Sequence, residues 1–181
     1  MLLRFAHQST CSVEELEVSR SLVTSIDAVD EDKRTALHWC CSSGNLALAQ
    51  VLVELGCLVN SSDDGGWTPL HTAVSCGHLS LVDLLVPRID SLDRRTQAGA
   101  SALHYAASKG FEDIARTLIK VGASLEVQDL SGNTPLHRAA SQGKTSLVEL
   151  LLNVGARIDS LNGFGQTALV MLERLIGSKC P

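Results

Sequence analysis

The stretch Thr68-Pro69-Leu70-His71 occurs five times along the chain, in this form or a near variant. It stands as TALH at 35–38, TPLH at 68–71, SALH at 101–104, TPLH at 134–137 and TALV at 167–170, so every copy begins 33 residues after the last. A constant interval of this length means that each period is one small structural unit, which buries its apolar face only by stacking on its neighbours. Each recurring letter has a mechanical reason. The leading Thr or Ser suits a helix N-cap, where its hydroxyl accepts from an orphan backbone N–H. Pro69 and Pro135 fall on the first helical position, where no N–H is missed. Gly66, Gly99, Gly132 and Gly165, two residues ahead of the cap, suit a turn that needs positive φ. Leu70, Ala73, Val74 and Gly77 lie at i, i+3, i+4 and i+7, one face of a short helix. Second helices are predicted in "NLALAQVLVELG", "HLSLVDLLV", "FEDIARTLIKVG" and "KTSLVELLLNVG", each with a three-to-four-residue apolar period.

The totals narrow the function. Fifteen basic against twenty acidic side chains give a net charge of −5, which argues against a general binder of nucleic acid or anionic membrane. Aromatic residues make up 3% of the chain, too few for a base-stacking platform. The apolar stretch at the start is broken by Arg4 and His7, and the one at 46–59 by Gln50 and Glu54, so neither a secretory signal nor a membrane span is predicted. Six cysteines without a C-x-x-C pair then fit reduced thiols in a cytoplasmic or nuclear protein.

The run His38-Trp39-Cys40-Cys41 has the letters of a zinc corner or a reactive thiol. The repeat assigns them otherwise. His38, His71, His104 and His137 stand one per period, and their expected role is a hydrogen bond tying one layer's turn to the next. Cys40 and Cys41 fall where other copies carry Ala-Val or Ala-Ala, on the packing face, and free cysteine packs as a small hydrophobe. No phosphate-binding glycine loop, paired carboxylates or Ser/His/Asp arrangement stands outside the repeat, so no enzyme, cofactor or metal site is predicted.

A 33-residue period carrying T-P-L-H-x-A resembles the ankyrin repeat, a β-turn followed by two helices. The resemblance implies an all-α repeat solenoid: an N-terminal capping repeat over 1–29, full repeats at 30–62, 63–95, 96–128 and 129–161, and a truncated C-terminal cap at 162–181. Two helices are expected in the N-terminal cap, near 2–9 and 13–23. One internal departure stands out. Pro87 must end its helix early, and Arg88-Ile89-Asp90 replaces the usual Gly-Ala, so the loop toward Arg94 should take another shape.

Partner contacts in such a stack lie at the turn tips and on the outward side of the first helices. Helical spacing puts Trp39, Thr72, Tyr105 and Arg138 in that row, and Trp and Tyr are enriched at binding hot spots. The competing reading is that the row is half-buried between helices. Tip charge is uneven: Asp30, Glu31 and Asp32 cluster at the first tip, Asp63 and Asp64 at the second, Arg94 and Arg95 at the third. "DKRTALHWCCSSG" (32–44), "DDGGWTPLH" (63–71) and "LHYAASK" (103–109) go beyond the generic repeat and resemble the gankyrin family of proteasome assembly chaperones, Trp39 and Trp67 being the specific letters. That resemblance implies a monomeric, non-enzymatic scaffold holding the C-terminal domain of a proteasomal ATPase on its concave face. It places basic contacts at Arg34 and Lys109 and acidic ones at Asp32 and Asp64, with Trp39, Trp67 and Tyr105 beside them. The chain is about one repeat shorter than the family and lacks its L-x-C-x-E motif, so retinoblastoma-type partners are not implied. Two alternatives stand beside this reading: a regulatory binder that blocks an enzyme such as a kinase, and a redox or metal protein built on Cys40 and Cys41.

Overall fold

The structure is a computed structural model that describes residues 26–177, with side chains to residue 174. The helices expected near 2–9 and 13–23, together with Cys11 and Cys180, lie outside the described residues.

Among the described residues, nine α-helices follow one another as four pairs and a last single helix, and the only strand-like pairing is an isolated bridge from Val29 to Thr35. The first helices of successive periods are α1 (Ala36–Ser43), α3 (Pro69–Cys76), α5 (Ala102–Lys109), α7 (Pro135–Ser141) and α9 (Ala168–Gly177). The second helices are α2 (Leu46–Glu54), α4 (Leu79–Leu85), α6 (Glu112–Lys120) and α8 (Thr145–Asn153). Among the described residues no helix is long and apolar enough to cross a membrane. The architecture is the all-helical repeat solenoid that the 33-residue period predicts.

The chain falls into two compact units, one ending at Asp90 and the other beginning at Ser91. In the first, α1 packs on α3; in the second, α5 packs on α7 and α7 on α9. The boundary follows the irregularity at Pro87. There α4 has seven residues where α2, α6 and α8 have nine, and the chain continues as a 3₁₀ turn over Val86–Arg88. Proline without an N–H cannot extend the helix, and Ile89 at φ −87° takes the chain out of the turn in extended form.

The core of each unit is the predicted apolar face. Leu37, Leu70, Ala73 and Val74 are buried in the first unit, and Leu103, Ala106, Leu136 and Ala139 in the second. Small Ala side chains on the first helices let layers approach closely, while leucines of the second helices (Leu48, Leu52, Leu81, Leu118, Leu147, Leu151) close the core from behind. Cys40 and Cys41 are completely buried in this packing.

The motif histidines do more than the sequence promised. His104 Nδ1 accepts the backbone N–H of the cap residue Ser101 at 3.1 Å and lies 2.9 Å from its hydroxyl. A capping box normally uses Glu or Gln for this return bond; here the imidazole at the third helical position supplies it, and α1, α3 and α7 repeat the arrangement. Since Nδ1 accepts, the ring proton sits on Nε2, which donates to the next layer. His104 reaches the Asn133 carbonyl at 2.9 Å, His38 that of Trp67 at 3.0 Å, and His137 that of Gln166 at 3.0 Å. The expected layer-to-layer tie is present in both units.

A second recurring device was not anticipated. A side-chain oxygen in the loop behind one layer accepts a backbone N–H 31 residues on: Asp27 from Leu58 at 2.8 Å, Asp93 from Ser124 at 3.0 Å, Glu126 from Arg157 at 2.8 Å.

Candidate partner-binding surface

The tips are built by aspartates folded into turns. Asp30 Oδ1 accepts from the N–H groups of Asp32 at 3.0 Å and Arg34 at 2.8 Å, and Asp63 Oδ1 accepts from Gly65 at 2.9 Å and Trp67 at 2.8 Å. Asp129 repeats the scheme with Ser131 and Asn133. An Asx turn of this kind presents the remaining carboxylate oxygen away from the backbone.

That remaining oxygen, or the group standing in its place, reaches the first helix nine residues on. The Trp39 indole N–H donates to Asp30 Oδ2 at 2.9 Å, and Arg138 Nε donates to Asp129 Oδ2 at 2.7 Å. In the third tip Thr96 stands in for the aspartate, and its hydroxyl lies 3.1 Å from that of Tyr105. The row Trp39, Thr72, Tyr105 and Arg138 is half-buried in each unit. The ring bodies of Trp39 and Tyr105 are therefore partly open, while their polar ends are fixed to a tip.

These bonds set the electrostatics. Burial pushes the Asp30 carboxyl up, yet the Arg34 N–H, the Trp39 indole and the Asp32 N–H together outweigh it and hold the group below its ordinary value. Asp129 behaves likewise: burial raises it, and the Asn133 N–H, Arg138 and the Ser131 N–H bring it lower. Asp30 and Asp129 are fixed anions of the framework.

In the first unit the predicted contact residues converge. The Arg34 guanidinium lies 5.4 Å from the Trp39 ring centroid, within cation–π reach. It also approaches Asp32 at 3.4 Å and Asp63 at 3.8 Å. Arg34, Trp39, Ser42, Asp63, Trp67 and Thr72 line an open cleft of about 280 Å³, with His38 at its floor. Trp67 sets its ring edge-on to His71 at 6.2 Å. Asp32 and Asp64 are exposed at the neighbouring tips, which a bond from the Asp64 N–H to the Asp32 carbonyl joins at 3.0 Å. Tyr105 and Lys109 belong to α5 in the second unit, Tyr105 half-buried and Lys109 exposed at the helix end.

Lys33 is a tip residue that sequence reasoning passed over. It occupies the place of Gly66, Gly99, Gly132 and Gly165, whose φ values run from 68° to 74°, and adopts φ 60° itself. Its ammonium reaches Asp64 Oδ1 at 2.7 Å, which raises its pKa. The signal was available, since Lys33 is the one non-glycine in an otherwise constant column.

Burial pushes the Cys41 thiol far up and the Cys57 thiol to about 11, with the charge of Asp27 adding to the latter. Such thiols are poor nucleophiles and poor ligands at neutral pH. Among the described residues no group of three or more His, Cys, Asp or Glu side chains could hold a metal ion.

Comparison with known proteins agrees with this architecture. Residues 6–95, 55–129 and 88–162 each match a family model described as "Ankyrin repeats (3 copies)". The human 26S proteasome non-ATPase regulatory subunit 10 is 42% identical over 50 residues, an alignment covering 28% of this chain and 21% of that protein. The mouse subunit of the same name is 42% identical over 50 residues, covering 28% of this chain and 20% of its own. The chain therefore spans about a fifth of the length of the curated relatives it matches.

Proposed function

This chain belongs to the ankyrin-repeat family, whose stacks are scaffolds for protein–protein interaction, and from that premise we propose that it is a non-enzymatic, gankyrin-like binder of a proteasomal ATPase C-terminal domain. Partial similarity to a proteasome regulatory subunit supports the choice of partner class. The observation that carries it is the corner formed by Arg34, Trp39, Asp32 and Asp63. A cation held over an indole and flanked by carboxylates offers both signs of charge beside an aromatic anchor. Half-buried Trp67 and exposed Asp64 extend the same surface of the first unit; in the second unit, taken by itself, Tyr105 is a half-buried aromatic ring and Lys109 an exposed cation. A domain docking there exchanges the mutual pairing of Arg34 and Asp32 for pairs with its own side chains, at little cost because pairs this exposed contribute only about 0–1 kcal/mol.

The test is binding of isolated proteasomal ATPase C-terminal domains by calorimetry, with Arg34→Glu and Lys109→Glu combined. A desolvated interfacial charge pair costs about 2–5 kcal/mol to break, so the double reversal weakens binding at least tenfold with the helical signal unchanged. Arg157→Glu, at an exposed turn remote in sequence from both, leaves affinity intact. Equal binding by the double variant, or no binding of any ATPase domain by the parent, overturns the assignment.

A further inference from the structure

The tip edge of the second unit differs in character from that of the first, and it goes beyond the proteasomal reading. Its three tips, residues 94–99, 128–133 and 161–166, carry Arg94 and Arg95 at one end and a single carboxylate, Asp129, which is buried and paired with Arg138. In a chain of net charge −5, this edge exposes no acid. Beyond the arginines it presents large apolar side chains to solvent. Leu130 is 79% exposed, Phe164 76% and Leu161 56%. Exposed apolar residues grouped on consecutive tips mark an interaction site rather than the ordinary scatter of surface leucines.

The tips are locked side by side. Leu130 N–H donates to the Ala98 carbonyl at 3.0 Å, and Gly163 N–H donates to Ser131 at 2.9 Å. Each tip is itself a folded-back turn, closed by Thr96 N–H to Ala100 at 3.0 Å and Asp129 N–H to Asn133 at 2.9 Å. Hydrogen-bonded backbones lie about 4.7–4.9 Å apart, so tips of two backbones each repeat about every 10 Å. An extended peptide advances about 3.3–3.6 Å per residue, which is three residues per tip.

From this spacing and the complementary charge we infer that the second unit's tip edge docks an extended protein segment of the pattern acidic–x–x–apolar–x–x–apolar. Its carboxylate meets the Arg95 end, and its two apolar side chains pack on Leu130 and on Phe164 with Leu161. The rigid ladder of tips supplies the register, and the absence of an exposed acid on the edge discriminates against basic segments.

Random dodecapeptides displayed on phage and selected on the full chain test this, with affinities of selected peptides then measured by fluorescence anisotropy. The expected result is enrichment of an acidic residue three positions before one apolar residue and six before another. Affinity then falls at least tenfold in Leu130→Ser/Phe164→Ser, which alters exposed side chains and keeps the parent's circular dichroism and melting temperature. It falls severalfold in Arg95→Glu, where Nε also gives up its 3.0 Å bond to the Gly99 carbonyl, so the loss is read at a temperature where circular dichroism shows that variant folded. Selected peptides without that spacing, or peptides binding parent and double variant alike, overturn the inference. So does a patch that instead drives self-association in sedimentation, or adsorption to phosphatidylserine-containing vesicles, each abolished by the double variant while no peptide is enriched.

Discussion

Replacing His104 by Ala removes two bonds that no other side chain can remake. The Ser101 N–H loses its acceptor, Nδ1 at 3.1 Å, and the Asn133 carbonyl loses one of its two donors, Nε2 at 2.9 Å. The imidazole is 2% exposed and Ser101 not at all, so water does not simply replace the ring. The Ser101 N–H is left without a partner, which costs about 1–3 kcal/mol, while the Asn133 carbonyl keeps the Asp129 N–H at 2.9 Å and loses one bond of about 0.5–1.5 kcal/mol, so the two together cost roughly 1.5–4.5 kcal/mol. Against a typical domain stability of about 5–15 kcal/mol, that is a large fraction. Urea denaturation followed by circular dichroism measures the loss, and hydrogen exchange localises it to α5, α7 and the tip at Asn133. The same residue governs pH dependence. Burial pushes His104 and His38 below the ordinary imidazole value, so the folded state resists a proton that the unfolded chain accepts near pH 6.5. Stability is therefore full above about pH 6.5 and falls as pH drops from there toward the lower folded values. Each histidine contributes a slope of at most about 1.4 kcal/mol per pH unit. His104→Ala should lower this slope by the part due to His104, leaving His38 to titrate. A loss under about 1 kcal/mol, or an unchanged slope between pH 6.5 and 5, refutes the double-tie account.

Truncating Leu70 or Leu136 to Ala should cost roughly 2–5 kcal/mol in chemical denaturation, because both are almost wholly buried between layers. Gly99→Ala should destabilise by about 1–3 kcal/mol, since φ 74° strains any side chain and the new Cβ would stand 2.7 Å from Leu130 N; loss of exchange protection at Leu130 N–H checks the location. Replacing Cys40 and Cys41 together by Ala should leave partner affinity within twofold, and thiol titration of the native parent should find Cys41 unreactive at neutral pH. Lys33→Gly should raise the melting temperature slightly, because relief of left-handed strain, about 1 kcal/mol or more, outweighs an exposed ion pair of about 0–1.

What the sequence disclosed follows from what a repeat makes redundant. The 33-residue column fixes Leu70, Ala73 and Val74 as core and the histidines as ties, because packing between identical layers imposes the same demand at each period. Pro87 was legible for the same reason, as a break in the column with a steric consequence that one residue type dictates. The bond from each tip to its first helix was not. It uses Asp30 with Trp39, Thr96 with Tyr105 and Asp129 with Arg138, three unlike pairs that share a geometry and no letters. The acceptors at Asp27, Asp93 and Glu126 escaped notice similarly, since an acidic residue in a loop is ordinarily a solvated one. Lys33 was hidden by its chemistry: a lysine in a charged turn looks like surface, and only its column of glycines shows that it bears a strained backbone.

The candidate site is therefore legible as positions and not as a surface. Asp32, Arg34, Trp39, Asp64 and Trp67 do gather in the first unit, yet the groups that orient them, Asp30 and Asp63, were noticed only as charge. The two tip edges show why composition is a poor guide to partner choice here. Unit by unit, the same backbone device carries acids, with Lys33 and Arg34 between them, in one case and arginines followed by Leu130, Leu161 and Phe164 in the other. The framework bonds run through backbone N–H groups and buried side chains, so the exposed tip residues vary without loss of the fold. Substituting Leu130 or Phe164 should accordingly leave stability nearly untouched while changing what the second unit binds, whereas substituting Asp129 beside Leu130 should lower stability and binding together, because its carboxylate holds Ser131, Asn133 and Arg138 at once.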